Sequence, residues 1–199
     1  MIFREKDFFA SFDARDLPPD LLYTFSSSAE ADSIVRSIAS TVGLIPRFKV
    51  FAANVPNTAA LIDGEQRLIV YSESWIQNTL ENDRWKAVTL MAHEIAHHLN
   101  GHTLEASGSR PSIELEADRF AGFSVGRLGG TLPQAQSLYM LLSESGGSTH
   151  PPRSARLEAV AVGWKDASAG LGTSPENTTP QNCRSSGACF IFNGELECE

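Results

Sequence analysis

From Val88 to Leu99 apolar residues return at every third or fourth position. Val88, Met91, Ala92, Ile95, Ala96 and Leu99 form one stripe, the period of a helix that packs by one face. Gly101, just past Asn100, is its expected stop. His93 and His97 fall on the opposite side, roughly in line with Lys86 and Leu90. Upstream, Ile34, Val35, Ile38 and Val42 point inward from a helix that a Ser27–Glu30 capping box opens and Gly43 closes. Between these two helices the period falls to two. Phe48, Val50 and Ala52 alternate with Lys49, Phe51 and Ala53, which predicts a strand. Thr58–Ile62 and Arg67–Tyr71 read as two more strands across a turn at Asp63-Gly64, and a short helix is expected after Ser74. Downstream, one helix runs from about Ile113 to Leu128. Another starts at Thr131, where Thr131 and Gln134 make a second capping box and Leu132, Ala135, Leu138, Tyr139 and Leu142 line the inner face. A last helix places Leu157, Val160, Ala161 and Trp164 on one side. The pattern predicts an α+β fold: a small antiparallel sheet packed against the histidine-bearing helix and further helices.

The ends of the chain read differently. Residues 1–25 show no period, and Pro18-Pro19 interrupts them, so they are expected to be an N-terminal extension to a domain at 26–166. Residues 167–182 turn to Gly, Ser, Thr, Pro and Asn, the composition of a linker. Residues 183–199 hold all three cysteines. Within that tail Asn193-Gly194 favours a two-residue type I′ turn, which would place Cys189 opposite Cys198 at a non-hydrogen-bonded pair. A disulfide there would staple the hairpin and leave Cys183 over. Three reduced thiols on a cytosolic tail is the alternative.

Composition narrows the class. Apolar residues make up 42% of 199 residues, enough for a core, and the net charge of −8 argues against nucleic acid as a partner. No apolar run approaches the ~20 residues of a transmembrane segment. The start, MIFREKDFFASF, is charged throughout and lacks the apolar centre of a signal peptide. A cytoplasmic protein is expected if Met1 is the native start, a periplasmic or secreted one if a signal has been removed.

The chemistry lies on the central helix. His93, Glu94 and His97 form HExxH, and two histidines four apart point the same way, one turn above the other. That spacing lets both imidazoles bind one Zn2+ ion without bending the backbone. Glu94 lies about 100° round the helix from His93. It is near the ion but off its axis, the place for a general base acting on an activated water. A hydrolytic zinc site needs a third protein ligand and an open position. His98 sits too far round the helix, and His102 does not fit the HExxHxxGxxH spacing, so His102 is expected to cap the helix C-terminus. The next helix carries Glu114 and Asp118 on one face and Glu116 on another. A glutamate there can ligate and an aspartate one turn on can orient a histidine. A solvated acidic helix start is the plainer reading of the same residues.

Three ordered motifs, HEIAHHLNGH, ELEADRFAG and THPPRSAR, resemble the gluzincin peptidases related to the CAAX prenyl-protein and HtpX-type proteases, over roughly residues 28–165. Without spanning helices, the chain departs from the integral-membrane members and resembles the compact soluble versions, the minigluzincins. The resemblance implies a zincin-like fold with His93, His97 and Glu114 as zinc ligands, Glu94 as base and Asp118 behind a ligand. His150 and Arg156 match the last motif and are candidate catalytic residues. The expected function is hydrolysis of peptide bonds in a polypeptide substrate. His150 would stabilise the oxyanion or else cap the metal, and Tyr139 and Arg156 are further candidates for the oxyanion. The resemblance also implies that the segment Asn57–Ile62, which matches the strand that often binds substrate backbone as an edge in such peptidases, takes the substrate as an added strand; an ordinary hairpin strand is the alternative. A latent or non-catalytic zinc-binding protein on a peptidase scaffold, binding polypeptide segments, is the alternative.

Overall fold

The computed structural model describes residues 24–26, 29–104, 110–147, 149–169, 189–192 and 195–198. The elements run β1 (Thr24–Ser26), α1 (Ala29–Thr41), β2 (Phe48–Ala53), β3 (Thr58–Asp63), β4 (Gln66–Tyr71), α2 (Glu73–Leu80), α3 (Arg84–Leu99), α4 (Pro111–Arg127), α5 (Leu132–Gln136) and α6 (Arg153–Ala169). The fold is α+β. Among the described residues no helix is long and apolar enough to cross a membrane.

The sheet is mixed, not antiparallel. Its order is β1-β2-β4-β3, with β2 and β4 parallel and the other pairs antiparallel. Alternation fixes which side chains share a face but not the direction of the neighbouring strand. Here β3 leaves β2, passes to the far side of β4 and turns back as a hairpin, so β4 enters alongside β2. Asp63 pairs with Gln66, which moves the turn one residue on, to Gly64-Glu65, with Gly64 at φ +57. β3 forms one edge of the sheet and β1 the other. One sheet face, with Val50, Ala52, Ile69 and Tyr71, joins the main core of helices. The other carries Ala53, Ala59, Leu61, Leu68 and Val70 in a smaller cluster. Burial on both faces explains why the neighbours Ala52 and Ala53 are both buried.

Several boundaries differ from expectation for local reasons. α2 starts at Glu73 because Ser72 is its N-cap and accepts from the Trp75 amide. Val42 lies beyond the end of α1 and is exposed, as is Leu99 at the end of α3. The Ser27 capping residue is outside the described residues. Thr131 and Gln134 do form the capping box, but the helix is only α5, and a 3-10 turn at Tyr139–Leu141 carries the rest of the inner face. α6 runs to Ala169, past the boundary expected at 166. In the tail, β5 (Cys189–Phe192) and β6 (Glu195–Cys198) pair antiparallel with Cys189 opposite Cys198. Their side chains and residues 193–194 are outside what is described.

α3 is central rather than merely amphipathic. Asp83 caps its start by accepting from the Trp85 and Lys86 amides, and every residue from Val88 to His98 is buried. His98 donates from Nε2 to the Leu68 carbonyl at 2.8 Å, and Arg67 donates to the His98 carbonyl at 2.6 Å. These bonds tie the last turn of α3 to β4. α4 packs beside α3, and α6 packs on α4 through glycines. A Cβ on Gly122 would lie 2.1 Å from the Val160 carbonyl oxygen, and one on Gly163 would lie 1.8 Å from that of Arg119. Glu114, Asp118, Gly122 and Gly126 follow one another at four-residue steps, so the acids and the glycines of α4 share one slowly winding line. The glycines let α6 approach, and α6 brings Arg156 against the acids.

Candidate metal centre

α3 supplies His93, Glu94 and His97, and α4 supplies Glu114 and Asp118. All are buried. His93 Nε2 and His97 Nε2 lie 3.1 Å apart. Glu114 reaches both, with Oε2 3.3 Å from His93 Nε2 and Oε1 3.7 Å from His97 Nε2. Among the described residues these three form the group that could hold a metal ion, with ligand atoms within 4.8 Å of one another. Tetrahedral zinc, with zinc–nitrogen bonds of about 2.0–2.1 Å, asks for donors on the order of 3.3 Å apart. The donor set of two imidazoles and a carboxylate is likewise one that zinc takes. Charge agrees with it. The buried acids Glu94, Glu114 and Asp118 face one buried guanidinium, Arg156. With neutral imidazoles, a divalent cation makes up that deficit.

Asp118 accepts from His93 Nδ1 at 2.9 Å, which leaves His93 Nε2 for a metal. Arg156 holds Asp118 with two bonds of 2.7 Å, Nε to Oδ2 and a terminal nitrogen to Oδ1, and its guanidinium lies 5.2 Å from the Tyr139 ring centre. Burial would raise the Asp118 pKa, but the Arg156 charge and hydrogen bonds hold it below the usual carboxylate range. Burial alone would raise Glu114 too; its bond to His93 and the charges around it keep it far down. For His93, burial opposes the charged form, yet the bonds to Asp118 and Glu114 prevail and lift it to about 9. Burial and the neighbouring His93 charge push His97 down to about 3. Burial lifts Glu94 to about 7, against the pull of His93; the Ala60 amide of β3 donates to its carboxylate.

Of the remaining expected residues, His150 stands at the rim. Its Nδ1 lies 2.8 Å from Thr149 Oγ1, and its Nε2 is 4.0 Å from Glu114 Oε2, with about a fifth of the side chain exposed. Arg156 and Tyr139 are buried behind Asp118. Burial and the Asp118 charge push the Tyr139 hydroxyl pKa well up.

His102 is not a helix cap. Gly101, at φ +75, ends α3, and His102 opens a 3-10 turn that folds back beside His97. His102 Nδ1 lies 3.0 Å from His97 Nδ1, and its Nε2 lies 3.1 Å from Glu116 Oε2. Spacing excluded His102 as a ligand, and it does not join the metal group. Its place behind His97 depends on the left-handed turn at Gly101, which helical phase does not describe. No family model, curated protein or solved structure matches the chain.

Proposed function

We propose that this chain is a zincin-like zinc peptidase of the gluzincin type, hydrolysing peptide bonds within polypeptide substrates. The observation that carries the reading is the meeting of two elements at one point. His93, His97 and Glu114 converge from α3 and α4, and beside them lies Glu94, a buried carboxylate with a pKa lifted to about 7. A structural metal site has no use for such a base.

His93, His97 and Glu114 would hold the zinc. When bound, it would supply a Lewis acid for the scissile carbonyl and make water easier to ionise at neutral pH. Glu94 takes the proton of the attacking water and returns it to the leaving amine; a base that titrates near neutral pH suits both transfers. The Ala60 amide fixes the Glu94 carboxylate to the edge strand β3. A substrate segment added along β3 would thereby lie beside the base, held by main-chain hydrogen bonds with little sequence preference. His150 Nε2, at the rim, is the donor for charge on the carbonyl oxygen. Asp118 and Arg156 hold His93 and Glu114 in place rather than touch substrate.

The depth of the site favours a second reading, latency. His93, Glu94 and His97 are at most 3% exposed, with His150 beside them. One experiment addresses both: zinc content and turnover of a quenched fluorescent peptide for wild type, Glu94→Gln and His150→Ala. Glu94→Gln is expected to keep zinc and lose about 10²–10⁴-fold in turnover. Wild-type turnover in Glu94→Gln would refute the proposed mechanism. His150→Ala lowers turnover if His150 is the donor and raises it if His150 shuts the site. Zinc bound without cleavage in any variant would leave a zinc-binding protein on a peptidase scaffold.

A further inference from the structure

We infer that His102 and Glu116 are positioning residues for the metal centre: together they fix His97 in the tautomer that presents Nε2 to an ion, an inference that rests on the metal site proposed above. The residues come from three places, the last turn of α3, the 3-10 turn at His102–Leu104, and the first turns of α4. They meet in a line. His97 Nδ1 is 3.0 Å from His102 Nδ1, the two rings stand 5.1 Å apart at 66°, and His102 Nε2 is 3.1 Å from Glu116 Oε2.

Hydrogen-bond chemistry gives that line a direction. An ionised carboxylate only accepts, so the proton at the outer contact belongs to His102 Nε2. A neutral His102 then carries a lone pair on Nδ1 and accepts there. The proton between the two imidazoles must therefore be on His97 Nδ1. His97 Nε2 is left with its lone pair, facing His93 Nε2 and Glu114. Metal-binding histidines need their far nitrogen occupied in this way, because the partner decides the tautomer and the ring angle. His93 has the same service from Asp118 directly. For His97 the far nitrogen, Nδ1, meets not a carboxylate but the buried His102, which spans the gap to Glu116, whose side chain is 60% exposed. The three acids of α4 thus divide the work. Glu114 ligates, Asp118 orients one histidine, and Glu116 orients the other through an intervening ring.

The test is zinc affinity of the full chain, by competition with a chromophoric chelator, joined to ¹⁵N NMR of the histidine rings in the metal-free protein. His102→Ala is expected to weaken zinc binding by about 10–100-fold, the usual effect of losing a ligand's hydrogen-bond partner. His102→Gln should recover most of this, because its amide oxygen can accept from His97 while its NH₂ donates to Glu116. Glu116→Ala should weaken zinc less than His102→Ala, since an exposed charge is screened. Wild-type His97 should carry its proton on Nδ1, and His102→Gln should preserve that signature. Unchanged affinity in His102→Ala, a His102→Gln variant as weak as the alanine, or a wild-type His97 protonated on Nε2 would each overturn the relay. If His102→Ala does not fold, Glu116→Ala decides: weakened zinc supports the relay and unchanged zinc overturns it. Wild type that binds no zinc removes the metal reading and the relay with it, whereas wild-type zinc affinity that the variants leave untouched removes the relay alone.

Discussion

Arg156 is the residue on which the buried charge depends. Its guanidinium is 2% exposed and meets Asp118 with two short bonds while lying near Glu114. Replacing it by leucine keeps comparable bulk but leaves two carboxylates facing each other in the core. Breaking a buried pair from one side costs about 3–5 kcal/mol, because the remaining charge is left uncompensated. Arg156→Leu should therefore lower the urea midpoint by that equivalent, and a change below about 1 kcal/mol would show that the pair is dispensable. At this scale the residues of the group that could hold a metal ion were legible. HExxH and the Glu114–Asp118 spacing depend only on helical phase, and helical phase is what a linear pattern records. His102 and Glu116 were not legible, because their meeting with His97 requires the backbone to reverse at Gly101. Arg156 was visible as a motif residue, but its partner was not, since α6 and α4 are separated by a long stretch of chain.

Among elements, the contact of α4 with α6 sets the distance over which Arg156 must reach. Glycine in a helix usually costs about 0.5–1 kcal/mol relative to alanine. Gly163→Ala should nevertheless destabilise, by at least about 1–3 kcal/mol, because the new methyl would strike the Arg119 carbonyl oxygen, which is backbone and cannot swing aside. Thermal melts of Gly163→Ala would check the sign; a raised Tm would mean the helices can part freely. The strands and helices themselves were mostly legible, since β2, β3, β4 and α3 follow their hydrophobic periods. Strand direction was not, because β2 and β4 become parallel through a connection that no alternation encodes. Nor was the glycine seam, because Gly122, Gly126 and Gly163 look like weak helix residues until a partner helix is known.

Over the whole molecule, the triad that could hold a metal is assembled by the protein's own bonds, from Arg156 through Asp118 to His93 on one side and from Glu116 through His102 to His97 on the other. Stripping metal with a chelator should leave the far-UV circular dichroism unchanged and lower the Tm. Zinc at 100 times its Kd would restore about 2.7 kcal/mol. Loss of helical signal on stripping would show instead that metal builds the fold. Zinc uptake should also expel a proton. In the metal-free chain His93 is lifted to about 9 and Glu94 to about 7, so at pH 8 His93 is protonated and Glu94 is not. Binding there should release about one proton, and affinity should rise with pH until His93 has titrated. Calorimetry in two buffers of different ionisation enthalpy would count it; no release would mean His93 is already neutral. The line along α4, finally, limits where the gene can gain or lose codons. One residue deleted between Asp118 and Gly122 would turn Gly122 and Gly126 by about 100° relative to the acids, so that α6 would meet side chains where it now meets bare backbone. The turn at Gly64-Glu65 carries no such constraint on α4 and α6, since a residue added there leaves the phase of both helices untouched.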